Sequence, residues 1–437
     1  MSALDAAPAP ARPQGSGAIG LRLSAMMFLH YAVGGLWGPV LGRYLQSGLK
    51  FTPGQAGWIM GTAGTIGAFV TPLVAGQIAD RHFSTQRLLA ILLAVAGVLI
   101  CLASYQTTFA MWLLLSVACA LVSAPTPLLT NSLSFAHMTD PNRQFPRVRI
   151  WGTIGWIAPA WIFPAAWLLT NVHLTWMPPF LVGTDRPDVT ARLADAIRAA
   201  GGLSILYALY CLTLPNTPPR RSAREPWAFL KALRLLRHRS FAVLVGVGVA
   251  IAAIHQIYFI QTSQFLPQIG LPEGYVLPAM SLGQIAEIGT MALLGLMLKR
   301  LGFRRVLLVG TFAYFLRYAI FGTLSLPLWV IVASQALHGV CFACFFAAAS
   351  IYVDRIAEPD IRHSAQTAFG FLLAGAPLLA GWLMGRLGTW FADADGRLDY
   401  AGFWYTLAGI GLAATLAVAI FFREEPKADR APAASTS

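Results

Sequence analysis

Glu287 is the one acid of 18 that does not fall in a polar loop, a tail or the end of an apolar stretch. A carboxylate deep in an apolar stretch is costly when ionised, so it needs a partner or a task. Two bases share that setting, Arg149 and Arg317. A carboxylate and a guanidinium together can hold hydroxyls and polar heteroatoms, and the carboxylate can take up and release a proton as its surroundings change. Each base also has a plainer reading. Arg317 could pair with Glu287 or with backbone carbonyls as structural glue, and Arg149 could snorkel to the nearer water.

Other polar and aromatic residues recur at helical spacing around these three. Arg149, Thr153 and Trp156 stand at i, i+4 and i+7, on one helix face. Gln256, Phe259 and Ser263 stand at i, i+3 and i+7, and Gln284 and Glu287 at i and i+3. His338, Phe342 and Phe345 repeat the i, i+4, i+7 pattern. Amides read donor–acceptor edges and aromatic faces stack on flat rings, so these stripes suit a polar cargo with a planar ring. Each amide could instead bond a neighbouring helix, and each ring could simply pack. His338 could carry a proton near neutral pH, whereas His30 and His255 read as packing residues. Cys341 and Cys344 have metal-like spacing but no second pair, so packing is expected there and no metal site. No nucleophile–base pair and no phosphate-cradling glycine loop stands in these stretches, so no enzyme is expected.

The elements that must position these side chains are membrane helices. Hydrophobic residues make up 57% of the 437 and charged ones only 11%, against about 25% in soluble proteins. A mean hydropathy of +0.63 excludes an ordinary soluble enzyme. Twelve stretches reach the roughly 20 apolar residues a bilayer requires. They run at 21–46, 54–79, 88–105, 109–134, 147–170 and 195–215, then 241–266, 276–298, 306–325, 327–352, 364–388 and 400–422. With the amino terminus inside, 22 Lys and Arg fall on the inner side and seven on the outer. Orientation follows that bias, so both termini are expected in the cytoplasm. The formal charge of +13 is then an orientation signal, and no nucleic-acid partner is expected.

The expected organisation is a disordered tail (1–20), a six-helix half (21–215), a basic cytoplasmic linker (216–240), a second six-helix half (241–422) and a disordered tail (423–437). The first tail lacks the short apolar core and cleavage site of a signal peptide, so the first helix is expected to remain as an anchor. The loop at about 171–194 is long and has no role assigned from sequence. The halves repeat. Gly76, Asp80 and Arg81 after the second stretch correspond to Gly295, Lys299 and Arg300 after the eighth. Asp140-Pro141 with Arg143 corresponds to Glu358-Pro359-Asp360 with Arg362. Duplicated halves are a transporter architecture.

On these residues the chain resembles the nucleoside:proton symporter family of the major facilitator superfamily. The segment Val148-Arg149-Ile150-Trp151-Gly152-Thr153-Ile154-Gly155 carries the resemblance most clearly. Pro125-Thr126, Asn131, Ser134, Trp37, Gln284-Ile285-Ala286-Glu287, Leu316-Arg317 and Arg362-x-Ser364-Ala365-Gln366 extend it over about 21–422. It implies an all-α membrane protein of the major facilitator fold, importing nucleosides at a midplane site between rocking halves in the inner (cytoplasmic) membrane.

Carried over position by position, the resemblance implies cargo contacts at Arg149, Thr153, Gln256, Gln284 and Glu287 and an aromatic contact at Phe342. Trp156 and His338 replace other aromatics of the family, and Phe259 replaces an Asn. The family's proton-coupling Asp, directly after the aromatic matching Phe342, is Ala343 here. Coupling is therefore expected at Glu287, with His338 as the next candidate. The expected partners are a nucleoside and the lipid bilayer, the expected coupling ion is a proton with no cofactor, and the expected state is a monomer. The alternative reading keeps the fold and changes the cargo to a sugar, a glycoside or a purine base with weak or no coupling.

Overall fold

The computed structural model describes residues 16–74, 84–177, 179–218, 233–357, 362–393 and 398–425. The turn at Gly76, Asp80 and Arg81, most of the basic linker, the Glu358-Pro359-Asp360 loop and nearly all of both tails lie outside the described residues.

Among the described residues the chain forms twelve helical rods. In the first half these are α1 (Ser16–Arg43), α2 (Pro53–Val74), α3 (Thr85–Ser104), α4 (Phe109–Ser123, resuming as Thr126–Ala136), α5 (Pro141–Phe163) and α6 (Val189–Thr213). In the second half, α7 is Arg239–Gln268, and Val276–Gly322 bends at Gly302 into α8 (276–301) and α9 (303–322). Then follow α10 (Leu328–Ile356), α11 (Arg362–Leu373, resuming as Ala376–Trp390) and α12 (Tyr400–Phe421). Nine tracts are long and apolar enough to cross a bilayer, one of them being the bent α8–α9 pair. The remaining two rods are α2 and α5.

Two boundaries differ from the sequence reading. The stretches read at 276–298 and 306–325 have no loop between them, because Gly302 turns the chain at φ 75°, a conformation that favours glycine. The segment read as a loop at 171–194 is largely ordered. It forms an antiparallel hairpin of β1 (Leu169–Leu174) and β2 (Leu181–Asp185), with Leu169 opposite Asp185, and α6 then begins at Val189. The chain is thus not purely helical.

Close helix crossings are set by small residues, as expected where lipid offers no hydrophobic drive to pack. A Cβ at Gly35 of α1 would lie 2.4 Å from the Trp156 carbonyl of α5, so those two backbones touch. A Cβ at Gly339 of α10 would lie 2.4 Å from the Glu287 amide of α8. The halves meet where α2 packs on α11, α1 on α7, and α5 on the α8–α9 pair.

The internal repeat is visible where each half closes on the face that holds the chain ends, called here the basic face. In the first half, residues at and just after the end of α6 tie three helix ends. Arg22 of α1 bonds the Thr213 carbonyl, Gln86 of α3 donates to Asn216 (2.7 Å), and His137 after α4 bonds Thr217 (2.8 Å). In the second half, residues just after α12 do the same. Arg355 of α10 pairs with Glu424 (2.7 Å), which also accepts the Phe303 amide (3.1 Å) at the start of α9. Glu425 accepts the Ser240 hydroxyl of α7 (2.5 Å) and pairs with His238 (2.8 Å). The first clamp is built of neutral acceptors and the second of carboxylates.

Candidate substrate site

The face opposite the clamps is sealed between the halves. Arg43 at the end of α1 pairs with Glu273 in the α7–α8 connection, and Ser47 donates to Gln264 of α7 (2.7 Å). The hairpin straps over the same connection. Asp185 accepts the amides of Glu273 (2.7 Å) and Gly274 (2.9 Å), and the Tyr275 hydroxyl accepts from and donates to the Gly183 backbone (2.8 and 3.0 Å). Deeper in, the Trp161 indole of α5 donates to Ser281 of α8 (2.9 Å). The polar contacts of the two clamps on the basic face, by contrast, each stay within one half.

The second half places a dense polar cluster among α7, α9 and α10. Arg317 is 0% exposed, donates to Gln335 (2.6 Å) and His338 Nδ1 (3.1 Å), and lies 3.7 Å over the Tyr258 ring. Tyr258 donates to the same Gln335 oxygen (2.9 Å). Since a guanidinium only donates, His338 Nδ1 must be an acceptor and the ring is neutral. His255 stacks on His338 at 5.1 Å and bonds the Tyr314 hydroxyl (2.7 Å). Arg317 therefore pairs neither with Glu287 nor with carbonyls. A side-chain amide and an imidazole hold it instead, because α9 faces α10 at this level.

Around this cluster lie the other second-half candidates. Phe259 meets the His255 and His338 rings edge-on at 5.3 and 5.6 Å, and Phe342 tilts against His255 at 6.3 Å. Phe342 opens a π turn, Phe342–Ala347, a feature frequent at functional sites. A Cβ at Gly283 would lie 2.8 Å from the His338 Cβ, so α8 runs against α10 beside the buried Gln284 and half-buried Glu287.

The first half contributes from α5. Arg149 is half-buried and lies 4.4 Å over the Tyr31 ring of α1. Thr153 follows one turn on, and the Trp156 ring lies along Gly34 and Gly38 of α1. Arg149 is close enough to Glu287 for their charges to interact, although the two form no ion pair. Gln256 reaches into a cavity of about 430 Å³ between α1, α2 and α4. Among the described residues no hydrogen bond engages the side chains of Arg149, Gln256, Gln284 or Glu287.

Residues 18–427 match the nucleoside H+ symporter family. This chain belongs to that family. It is 32% identical to YegT of Escherichia coli (strain K12) over 92% of this chain and 93% of YegT. It is 28% identical to the xanthosine permease of the same organism over 92% of this chain and 95% of the permease. A crystal structure of the nucleoside transporter NupG superposes at a TM-score of 0.80 with 24% identity, covering 93% of this chain and 100% of NupG. The major facilitator fold anticipated from the resemblance is therefore the fold of this chain, and its family and relatives are transporters.

The structure brings Gln284, Glu287, His338, Phe342 and Phe259 onto touching helices of one half, and Arg149, Thr153 and Trp156 onto the α1–α5 seam of the other. Several partners were missed by sequence reasoning. Tyr31 cradles Arg149, and Tyr258, Gln335, His255 and Tyr314 complete the Arg317 cluster. The i, i+3 spacing of Gln335 to His338 was the one available signal.

Proposed function

We propose that the protein is a multi-pass transporter of the inner (cytoplasmic) membrane that imports nucleosides together with protons, working as a monomer with no cofactor. The observation that carries the site assignment is Glu287 with Arg149. They are half-buried charges in opposite halves, close enough for their charges to interact and without hydrogen bonds among the described residues, on α5 and α8, which touch at Trp161 and Ser281. A carboxylate so placed can be protonated in one state and held ionised by Arg149 in the other. Ribose hydroxyls suit this pair and Gln284, and the base suits amides and rings. His338 Nδ1 is occupied by Arg317, which favours Glu287 as the proton carrier. The strap on the far face supports a state closed to the outside, from which the halves rock open.

Reconstituted protein in liposomes tests the reading. Labelled uridine and adenosine should exchange in counterflow, and an imposed inward proton gradient should drive accumulation. Failure of both nucleosides to exchange removes the cargo assignment. Exchange that ignores the gradient makes the protein a facilitator, a result that Ala343, buried where the family carries its Asp, would explain.

A further inference from the structure

We propose that the cavity between α1, α2 and α4 is the subsite that receives the planar base of the cargo, a role that rests on the nucleoside reading above. Its volume, about 430 Å³, falls within the range of small-molecule sites. The walls are cut short by Ala63 and Gly64 on α2 and Ala120 on α4, which leave the space unfilled. Trp37 of α1 lends an aromatic wall. Two polar groups without hydrogen-bond partners among the described residues face the space, the Gln256 amide and the Ser116 hydroxyl.

This chemistry fits a base and not a sugar. A ring needs flat apolar walls and a few edge contacts, which one amide and one hydroxyl supply. Ribose would strand hydroxyls against alanine and glycine, at the cost of buried polar groups left unsatisfied. The charged residues that suit hydroxyls lie elsewhere, on α5 and α8. The cavity also adjoins the α5 stripe, because Gly38 lines it and a Cβ at Gly38 would lie 3.4 Å from the tip of the Trp156 ring. A base held in the cavity would thus meet the α5 stripe at its Trp156 end, with the ribose directed along that stripe toward Thr153 and Arg149. Of the residues that carry the family resemblance, only Gln256 and Trp37 line this space.

The test compares Ala120→Phe with the unmodified protein in counterflow. Filling the cavity should weaken adenosine at least tenfold and the smaller uridine less. Unchanged affinity for both, in a variant that still exchanges, overturns the subsite. If the unmodified protein exchanges neither, the nucleoside reading itself fails, and that outcome is distinct. A second measurement covers an Ala120→Phe protein that does not fold. Ala63→Cys is made in a chain whose five native cysteines are replaced, and labelled with a methanethiosulfonate reagent. Adenosine should slow labelling at least fivefold while ribose does not. Labelling that ignores adenosine in a protein that still exchanges it overturns the proposal.

Discussion

Two arginines lie within the membrane, one in each half, and they are solvated in opposite ways. Arg317 is fully enclosed, with an amide, an imidazole and an aromatic face around it. Arg149 is half-buried, rests on one tyrosine face, and has no side-chain hydrogen bond among the described residues. Burial alone would rank Arg317 as the functional residue. Satisfaction ranks them the other way, because both terminal nitrogens of Arg317 are already held and only its enclosed Nε lacks a partner, which leaves little for a cargo, whereas a guanidinium whose terminal nitrogens are free can bind, release and bind again. The difference separates a charge enclosed in the scaffold from one left available for the role proposed for it.

The strongest way to break this comparison goes through the acid that Arg149 faces. Glu287→Gln should reduce gradient-driven uptake to the liposome background while counterflow exchange persists. Normal accumulation by this variant would move the proton to His338 and make the second half the working one. Arg149→Ala comes next. It should lower transport on the order of a hundredfold, about 2.7 kcal/mol, with the melting temperature of the detergent-solubilised protein unchanged. Arg317→Leu should show the reverse split, losing about 2 kcal/mol of stability and coupling non-additively with Gln335→Leu by about 1 kcal/mol. Equal stability losses for both arginines would erase the distinction.

The smallest expected effect concerns the clamps. Burial pushes the Glu425 carboxyl up, but hydrogen bonds from Ser240 and His238 outweigh it and hold the group below its ordinary value. A depressed carboxylate contributes stability that is complete above the unfolded value, about 4.3, and is lost as pH falls through the lower folded value. Melting temperature should therefore drop with acidification through that window, and Glu425→Gln should flatten the drop. The first-half clamp has no carboxylate; its His137, held below the ordinary histidine value by burial, loses stability over a higher window, as pH falls below about 6.5. A slope that survives Glu425→Gln would place the acid sensitivity elsewhere.

The rods and their order were legible because apolar length and basic bias act over twenty residues at a time. The helical stripes were legible too, since Arg149, Thr153 and Trp156 need only one period to share a face. What spacing could not supply was which helix each stripe meets. Arg317 looked like a partner for Glu287 because both are charged, yet α9 turns it toward Gln335 and His338. The hairpin was hidden by its setting. Leu169–Leu174 is short and continues an apolar run from α5, so it carries no alternating pattern of its own. Its role as a strap depends on Glu273, some 90 positions later, a distance no local pattern crosses.

The bend at Gly302 has a mechanical consequence. It joins α8, which carries Glu287, to α9, which carries Arg317, with no slack between them. The corner is pinned by Glu424 through the Phe303 amide, and the same carboxylate grips Arg355 at the end of α10. The two rods therefore act as one bent lever with a fixed elbow. A torque applied at the Glu287 arm is delivered to the Arg317 arm instead of being absorbed by a loop. A change of charge at Glu287 would in this way be geared to the enclosed cluster around Arg317.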